Sequence, residues 1–210
     1  MVMAGRRQDA QRRQEVLDAA FAVLAERGYR RTTMLEIARR ASASKETLYA
    51  WFGNKQGLFA ELILRNAEGI NGILSRCLDC DQDDLAETLE AFGSELLKLL
   101  LGAPSLVINR TAMAEAADDP TLGRLLLAKG RDTALPKLAR FFQAQQEAGR
   151  LDFDDVELAI DSFMGLLIGD LKQRRLLGGL SMPNKRAIEA RAKRAVRQFL
   201  ILFGPKAAAR

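Results

Sequence analysis

Histidine is absent from the 210 residues of this chain, and cysteine occurs only twice. Without an imidazole the chain has no Ser-His-Asp or Cys-His nucleophile system, no histidine general base and few options for a transition-metal site. Two cysteines are too few for a disulfide framework or a four-thiolate site. The carboxylates and lysines do not group into a nucleophile, a base and an oxyanion site. We therefore predict that the protein is not an enzyme and needs neither a metal nor a cofactor.

Long hydrophobic runs are also missing. No stretch approaches the ~18–20 consecutive apolar residues that a membrane span needs. The amphipathic segment Val16–Leu24 follows several basic residues, but the acids Glu15 and Asp18 and the lack of a continuous apolar run argue against a signal peptide. A content of 48% hydrophobic and 28% charged residues is that of an ordinary globular protein. The sequence predicts a cytoplasmic protein.

Positive charge is concentrated at one end of the chain. The sequence has 32 lysines and arginines against 27 acids, a net charge of +5. Residues 1–55 hold 11 of the cations and 6 of the acids, so the whole excess lies there. A compact basic segment joined to a neutral remainder is typical of a module that neutralises phosphates. A solvated basic face that keeps the protein soluble fits the charge equally well.

Hydrophobic spacing predicts helices throughout and no strands. The seventh of nine predicted helices is expected to bend near Pro136, and the eighth is expected to be capped by Asp154. The predicted helices are Asp9–Arg27, Met34–Ala41, Lys45–Phe52, Lys55–Arg76, Asp84–Leu101, Ser105–Ala117, Thr121–Ala148, a helix from Asp154 to about Leu177, and one from Asn184 to about Phe203.

The second and third helices are short and joined by a tight turn behind a longer helix, which is the pattern of a helix-turn-helix. Thr33 with Glu36 forms a capping box before the second helix, and Leu48 and Phe52 face inward from the third. An α-helix fits the major groove, and its N-terminal residues meet the base edges. A helical hairpin without a nucleic-acid role is the alternative, but it leaves the position of the excess charge unexplained.

The same residues resemble a known family. Glu15–Phe21, Glu26–Thr33, Ile37-Ala38, Ser44–Lys55 and Leu58-Phe59 are similar to the DNA-binding domain of TetR/AcrR-type regulators, over about residues 10–62 without a gap. The resemblance implies an all-α protein. Residues 1–55 would form a three-helix helix-turn-helix domain, and residues 56–210 a six-helix ligand-binding and dimerisation domain. The implied function is a ligand-responsive repressor, released from a palindromic operator by a small, mostly apolar effector.

The resemblance also implies which residues bind DNA. Thr33 and Lys55 match phosphate-binding positions, and Lys55 begins a helix whose N-terminus favours anions. Glu46 stands where the family usually has glycine, and we expect it either to accept from a cytosine amino group or to pair with an arginine. Ala-Ser-Ala-Ser at residues 41–44 replaces the usual Ala-Gly-Val-Ser. The predicted DNA-binding residues are Thr33, Ser44, Lys45, Glu46, Thr47, Tyr49, Trp51 and Lys55.

The last two predicted helices carry apolar residues at spacings of four, three and four. Core packing within one chain would explain this pattern, but we predict a dimeric four-helix bundle. A two-fold dimer places recognition helices about one turn of DNA apart, so the operator would be a near-palindrome. The predicted interface consists of Ile160, Met164, Gly165, Leu167, Gly169, Leu171, Ile188, Ala192, Ala195, Phe199 and Leu202.

The middle helices are expected to enclose a ligand pocket, although each apolar residue there is also a candidate for ordinary core. A ligand would release DNA by binding better to a conformer with misplaced recognition helices, and the fourth helix would link the pocket to the DNA-binding domain. The predicted wall consists of Phe92, Leu96, Val107, Ile108, Met113, Leu126, Phe141 and Met164, with Arg110 and Glu115 as polar groups that fix orientation.

Three alternatives stay open from the sequence. Cys77 and Cys80 have the spacing of a redox pair, but two ordinary thiols explain them as well. The protein could bind DNA as an activator or without an effector. It could also be a helical small-molecule binding or interaction protein that has lost its DNA specificity, since Glu46 places a carboxylate on the surface that would meet phosphates.

Overall fold

The computed structural model describes the backbone of residues 2–78 and 84–205 and the side chains of residues 9–76 and 84–205. The predicted redox pair, Cys77 and Cys80, lies outside the described side chains. The described residues contain helices and no strand, which confirms the all-α prediction. The helices are α1 (Val2–Arg27), α2 (Met34–Arg40), α3 (Lys45–Phe52), α4 (Lys55–Leu78), α5 (Leu85–Leu101), α6 (Ala103–Glu115), α7 (Thr121–Leu126), a π-helical segment (Leu127–Arg131), α8 (Asp132–Glu147), α9 (Val156–Ile168), α10 (Leu171–Leu176) and α11 (Lys185–Phe203).

The described residues divide into two compact units. The first, called the helix-turn-helix unit, is drawn from Met1–Asn66 and Val107–Leu126, and the second, called the body unit, from Ala67–Leu106 and Leu127–Arg210. The sequence does not indicate that residues 107–126 join the N-terminal helices. Hydrophobic periodicity shows which face of a helix is buried, but not what covers it. The predicted division into a DNA-binding domain of residues 1–55 and a ligand-binding and dimerisation domain of residues 56–210 stays a prediction.

A single hydrophobic core holds the helix-turn-helix unit together. The predicted inward positions of Leu48 and Phe52 on α3 are confirmed, since both side chains are buried. Burial of apolar side chains at helical spacing is the main stabilising term for such short helices. The core is formed by Val16, Leu17, Ala20, Val23, Leu24, Met34, Ile37, Ala38, Ala41, Leu48, Phe52, Leu58, Phe59, Leu62 and Ile63, and residues 107–126 add Ile108, Ala112 and Leu122.

Four phenylalanines form the centre of the body unit. The ring centroid of Phe199 lies 5.2 Å from that of Phe142 and 5.3 Å from that of Phe163, and Phe163 lies 6.1 Å from Phe92. These rings join α5, α8, α9 and α11, and burial of Phe142 fixes the rotation of α8 about its own axis.

Among residues 2–78 and 84–205, no single helix is long and apolar enough to cross a membrane. One pair of helices in the described part of the chain, α5 and α6 across a bend of 55°, reaches such a length and hydropathy.

The predicted seventh helix is interrupted by a π-helical segment, and the bend expected near Pro136 stays a prediction. Pro136 lies inside α8, and the irregular segment is the π-helix at Leu127–Arg131. In a π-helix each N–H bonds five residues back, which shifts the regular hydrogen-bond ladder. The hydroxyl of Thr133 donates to the carbonyl of Ala128 at 2.9 Å, which adds a side-chain hydrogen bond to a backbone carbonyl of the π-helical segment.

The predicted eighth helix is two helices. Gly169 has a φ of +48°, a left-handed conformation that ends α9 before α10 begins. Asp155, rather than the predicted Asp154, caps α9, because its carboxylate accepts from the N–H groups of Glu157 and Leu158 at 2.8 and 3.4 Å. The prediction of one helix to Leu177 is therefore wrong. A glycine within an apolar pattern of helical spacing can either continue the helix or end it, and the sequence alone does not distinguish the two.

Candidate functional site

Hydroxyl groups fix the starts of the two short helices. The hydroxyl of Thr33 accepts from the N–H of Glu36 at 3.2 Å, and that of Ser44 accepts from the N–H of Thr47 at 3.0 Å. The predicted cap at Thr33 is thereby confirmed, and Ser44 caps α3 in the same way. The carboxylate of Glu36 pairs with the guanidinium of Arg27 at 2.7 Å, so Thr33 supplies its half of the predicted capping box.

The turn between α2 and α3 is held by an arginine from α1. The guanidinium of Arg12 donates to the carbonyls of Ala41 and Ser42 at 2.5 and 2.7 Å. Ser42 has a φ of +48°, a left-handed conformation that favours glycine. The turn therefore has the geometry that a glycine would adopt without strain, and Arg12 fixes that geometry relative to α1.

The N-terminal turn of α3 presents polar groups to solvent. Lys45, Glu46 and Tyr49 are exposed, and the ammonium of Lys45 lies 5.6 Å from the ring centroid of Tyr49. The hydroxyl of Thr47, a half-buried residue, lies 3.0 Å from that of Ser44. Because Leu48 and Phe52 hold the opposite face in the core, α3 offers its polar face as a rigid surface.

Trp51 takes a different position from the other predicted DNA-binding residues. Its indole is half-buried, packs against the helix-turn-helix core and meets Phe52 edge-on with ring centroids 6.2 Å apart. Part of this side chain therefore stabilises α3, and its role in binding DNA stays a prediction.

Lys55, at the start of α4, is oriented by Tyr29. The Lys55 ammonium donates to the Tyr29 carbonyl at 2.9 Å and lies 4.1 Å from the Tyr29 ring centroid. An ammonium has three N–H groups, so two remain after this bond. Burial raises the pKa of Tyr29, and the carboxylates of Glu115 and Asp119 raise it further, which keeps the phenol neutral at neutral pH.

Glu46 forms no ion pair with an arginine among the described side chains, so the expected pairing is not observed there. Its own backbone N–H and the hydroxyl of Ser44 lower the pKa of the Glu46 carboxyl, and Lys45 adds to this effect. The carboxylate is therefore charged at neutral pH. It lies at the N-terminus of α3, where the helix dipole favours a negative charge. Acceptance from a cytosine amino group stays a prediction.

More than half of the cations in residues 9–55 are neutralised by acids of the helix-turn-helix unit. Of the nine in residues 9–55, five pair with carboxylates: Arg12, Arg13, Arg27, Arg30 and Arg40. The four others form no ion pair among the described side chains, and two of these, Lys45 and Lys55, belong to the predicted set. The other two, Arg31 and Arg39, are not in the predicted set, because pairing depends on partners distant along the chain.

The predicted ligand residues are divided between the two units. Phe92 and Leu96 are buried in the body unit, where Phe141 and Met164 are half-buried. In the helix-turn-helix unit Ile108 is buried, Val107 and Leu126 are half-buried, Arg110 and Met113 are exposed, and Glu115 pairs with Arg30 at 3.3 Å.

A cleft in the body unit includes one of the predicted ligand residues. It has a volume of about 540 Å³, which is within the usual range for small-molecule sites. Phe141 was predicted, whereas the other lining residues were not. Four of these are polar, Leu74 lies near the end of α4, and Ala144 carries only a methyl group. The cleft is lined by Leu74, Ser75, Lys137, Arg140, Phe141, Ala144 and Gln145.

Six of the predicted interface residues are already buried within one chain. Ile160, Leu167, Ile188, Ala192, Ala195 and Phe199 are each at most 3% exposed. Met164 and Leu171 are half-buried, and Gly165, Gly169 and Leu202 are exposed. Among the described residues, nine large hydrophobic side chains are exposed, and five of them lie on α9, on α11 or between the two helices: Leu158, Leu177, Met182, Ile201 and Leu202.

Comparison with known proteins matches both parts of the chain. A family model described as bacterial regulatory proteins, tetR family, matches residues 16–62, and a model for the C-terminal domain of AefR-like transcriptional repressors matches residues 87–205. A putative TetR-family transcriptional regulator from Mesorhizobium loti MAFF303099 is 29% identical, with a TM-score of 0.83 over 93% of this chain and 98% of that one. A TetR transcriptional regulator from Agrobacterium tumefaciens is 39% identical, with a TM-score of 0.72 over 92% and 95%. The flavonoid-responsive regulator FrrA is 31% identical, with a TM-score of 0.72 over 94% and 100%.

Proposed function

Because the chain belongs to the TetR family of bacterial transcriptional regulators, we propose that it is a ligand-responsive repressor of the cytoplasm. It binds a palindromic operator as a homodimer and leaves it when a small, mostly apolar effector binds. Residues 1–55 bind DNA, and residues 56–210 bind the effector and dimerise. The family model for AefR-like repressors supports repression, and the similarity to FrrA supports a response to a small molecule.

The observation that carries the DNA-binding proposal is the polar, rigidly held N-terminal turn of α3. An exposed helix N-terminus with Lys45 and Tyr49 on it suits a major groove. Thr33 and Lys55 would contact phosphates on either side, and the unpaired cations Arg31 and Arg39 would add phosphate contacts. Ser44, Thr47 and Glu46 would face base edges and backbone, with Trp51 supporting the helix and reaching the backbone.

Release of DNA would depend on segments that both units share. Helix α4 contributes residues to each unit, as does the chain through α6. In the helix-turn-helix unit, Arg30 pairs with Glu115 and Asp118, and the amide of Gln56 donates to Asp119 at 3.3 Å. An effector that favours a different position of α4 would change the placement of α3, and the difference in its affinity for the two conformers sets how far DNA binding shifts.

Selection of DNA from a random pool tests the proposed function. Purified protein is incubated with random duplexes at about 0.15 M salt, and the bound DNA is sequenced. We expect an enriched near-palindrome with two half-sites about one helical turn apart. Enrichment should disappear in the Lys45→Gln, Tyr49→Ala variant, whereas the control Lys129→Gln, which removes an exposed cation of the body unit, should select the same sequence.

Two outcomes would contradict the proposal in different ways. Weak, salt-sensitive binding without enrichment would mean that the fold persists without sequence recognition, and would favour a small-molecule binding protein. An enriched palindrome that no small molecule displaces would favour an effector-independent regulator.

A further inference from the structure

The cleft of about 540 Å³ in the body unit is formed by one face of α8 and the end of α4. On α8 the lining residues recur at helical spacing from Lys137 to Gln145, so their side chains share one face. Leu74 and Phe141 give the cleft an apolar part. Gln145 is only 8% exposed although it lines the cleft, and its amide can donate hydrogen bonds.

The cleft carries positive charge, and none of its lining residues is an acid. Lys137 and Arg140 lie three residues apart on α8, where like charges repel. Neither forms an ion pair with any side chain in the described part of the protein, and no acid occurs three or four residues from either one along α8. Arg131, shortly before α8, does have a partner, since it pairs with Asp161 at 3.6 Å. The cleft therefore places two cations, neither of them ion-paired among the described side chains, beside an apolar wall.

We propose that this cleft binds an amphipathic organic anion. Its carboxylate or sulfonate lies between Lys137 and Arg140, and its apolar part packs against Leu74 and Phe141. Charge-assisted hydrogen bonds to an anion are stronger than neutral ones, and Arg140 can bind a carboxylate through two N–H groups. The inference rests on the proposed function only in calling this anion the effector. The sequence predicted a mostly apolar effector, and the cleft indicates one that also carries an acidic group.

Two fluorescent probes with the same aromatic rings test the inference. Anilinonaphthalene sulfonate carries an anionic group, and N-phenylnaphthylamine lacks it. Dissociation constants of both are measured by titration with the full-length protein, with the Lys137→Gln, Arg140→Gln variant and with the control Lys129→Gln. We expect the wild type to prefer the sulfonate. The double variant should bind the sulfonate roughly tenfold or more weakly, since two charged hydrogen-bond donors are lost. It should bind the neutral amine as the wild type does, which also reports that it is folded.

Equal affinity of the wild type for both probes would overturn the inference. So would a double variant that keeps the preference for the sulfonate, because the anion would then bind elsewhere. Selection of DNA from a random pool is an independent measurement. A selected palindrome without the charge preference overturns this inference alone, and the charge preference without a selected palindrome overturns the proposed function alone.

Discussion

Ser42 has a backbone conformation that costs stability. Its φ of +48° brings the Cβ close to the backbone, at a cost of about 1 kcal/mol that a glycine avoids. We predict that Ser42→Gly raises the free energy of unfolding by roughly 0.5–1 kcal/mol, measured by urea denaturation. The matched control is Ala43→Gly, because Ala43 does not have a positive φ. That variant should lose stability, since it gains only flexibility in the unfolded chain. A loss of stability in both variants would contradict the strain at Ser42.

Glu46 places a negative charge on the surface that would face DNA. Its pKa is lowered, so the carboxylate is ionised at neutral pH and repels phosphates. We predict that Glu46→Gln binds random-sequence DNA more tightly, with a salt dependence steeper by about one counterion. Fluorescence anisotropy of a labelled random duplex at several salt concentrations measures both quantities.

The control for Glu46 is Glu87→Gln, which removes an exposed carboxylate from the first turn of α5. Its affinity for random DNA should equal that of the wild type. If Glu46→Gln bound random DNA no more tightly than Glu87→Gln, α3 would not approach the phosphates.

Single residues differ in how far the sequence predicts their roles. The caps at Thr33 and Ser44 were predictable, because a cap and its partner lie within three residues of each other. The ion pairs were not. Arg40 pairs with Glu26 at 2.6 Å, whereas the adjacent Arg39 forms no ion pair among the described side chains. No local pattern distinguishes these two arginines, so the cations left for phosphates could be identified only from the folded chain.

At the scale of elements, Gly169 shows how one residue divides a helix. Its φ of +48° is strained for other residues, and a Cβ built there would lie 2.6 Å from a guanidinium nitrogen of Arg191. Arg191 donates to the carbonyl of Leu167 at 2.8 Å, so moving it would also uncap the end of α9. We predict that Gly169→Ala lowers the free energy of unfolding by roughly 1–3 kcal/mol.

Denaturation with urea measures this loss, and Gly123→Ala is the matched control. Gly123 lies inside α7, has no positive φ and has open space where a Cβ would stand. Alanine there should raise stability by up to about 1 kcal/mol, because alanine has the higher helix propensity. Equal effects of the two substitutions would contradict the assigned role of Gly169.

Helix boundaries were predictable where a polar cap precedes a clear apolar stripe. Such signals placed α3 at its observed bounds and α11 directly after Asn184. Proline and glycine were less informative. Pro104 lies between two of the predicted helices, which end at Leu101 and begin at Ser105. In the structure it lies in the first turn of α6, where its missing N–H has no partner to lose. Proline and glycine therefore occur inside helices, at their ends and in the connections between them.

At the scale of the whole molecule, sequence periodicity identified buried faces but not their partners. The stripe on α11 was assigned to a dimer interface, and the structure places Ile188, Ala192 and Phe199 in the core of the body unit. Likewise Ile108 was assigned to a ligand pocket and lies in the helix-turn-helix core. An apolar stripe has the same spacing in either environment, so only the folded chain separates core from interface.

The exposed apolar side chains of α9 and α11 are therefore the residues through which we expect two copies to associate. Ile201 is 76% exposed, so Ile201→Arg should leave the protomer folded while placing a charge in the interface. We predict that the wild type sediments as a dimer and that this variant sediments as a monomer with unchanged helical content. It should also lose affinity for a palindrome, because two linked half-sites bind far more tightly than one.

Leu127→Arg is the matched control. Leu127 is exposed on the π-helical segment, so this substitution should leave the dimer intact. Phe199→Ala, two residues from Ile201 but fully buried, should instead cost about 3–5 kcal/mol of folding free energy. A dimeric Ile201→Arg protein, or a monomeric Leu127→Arg protein, would place the interface on another surface.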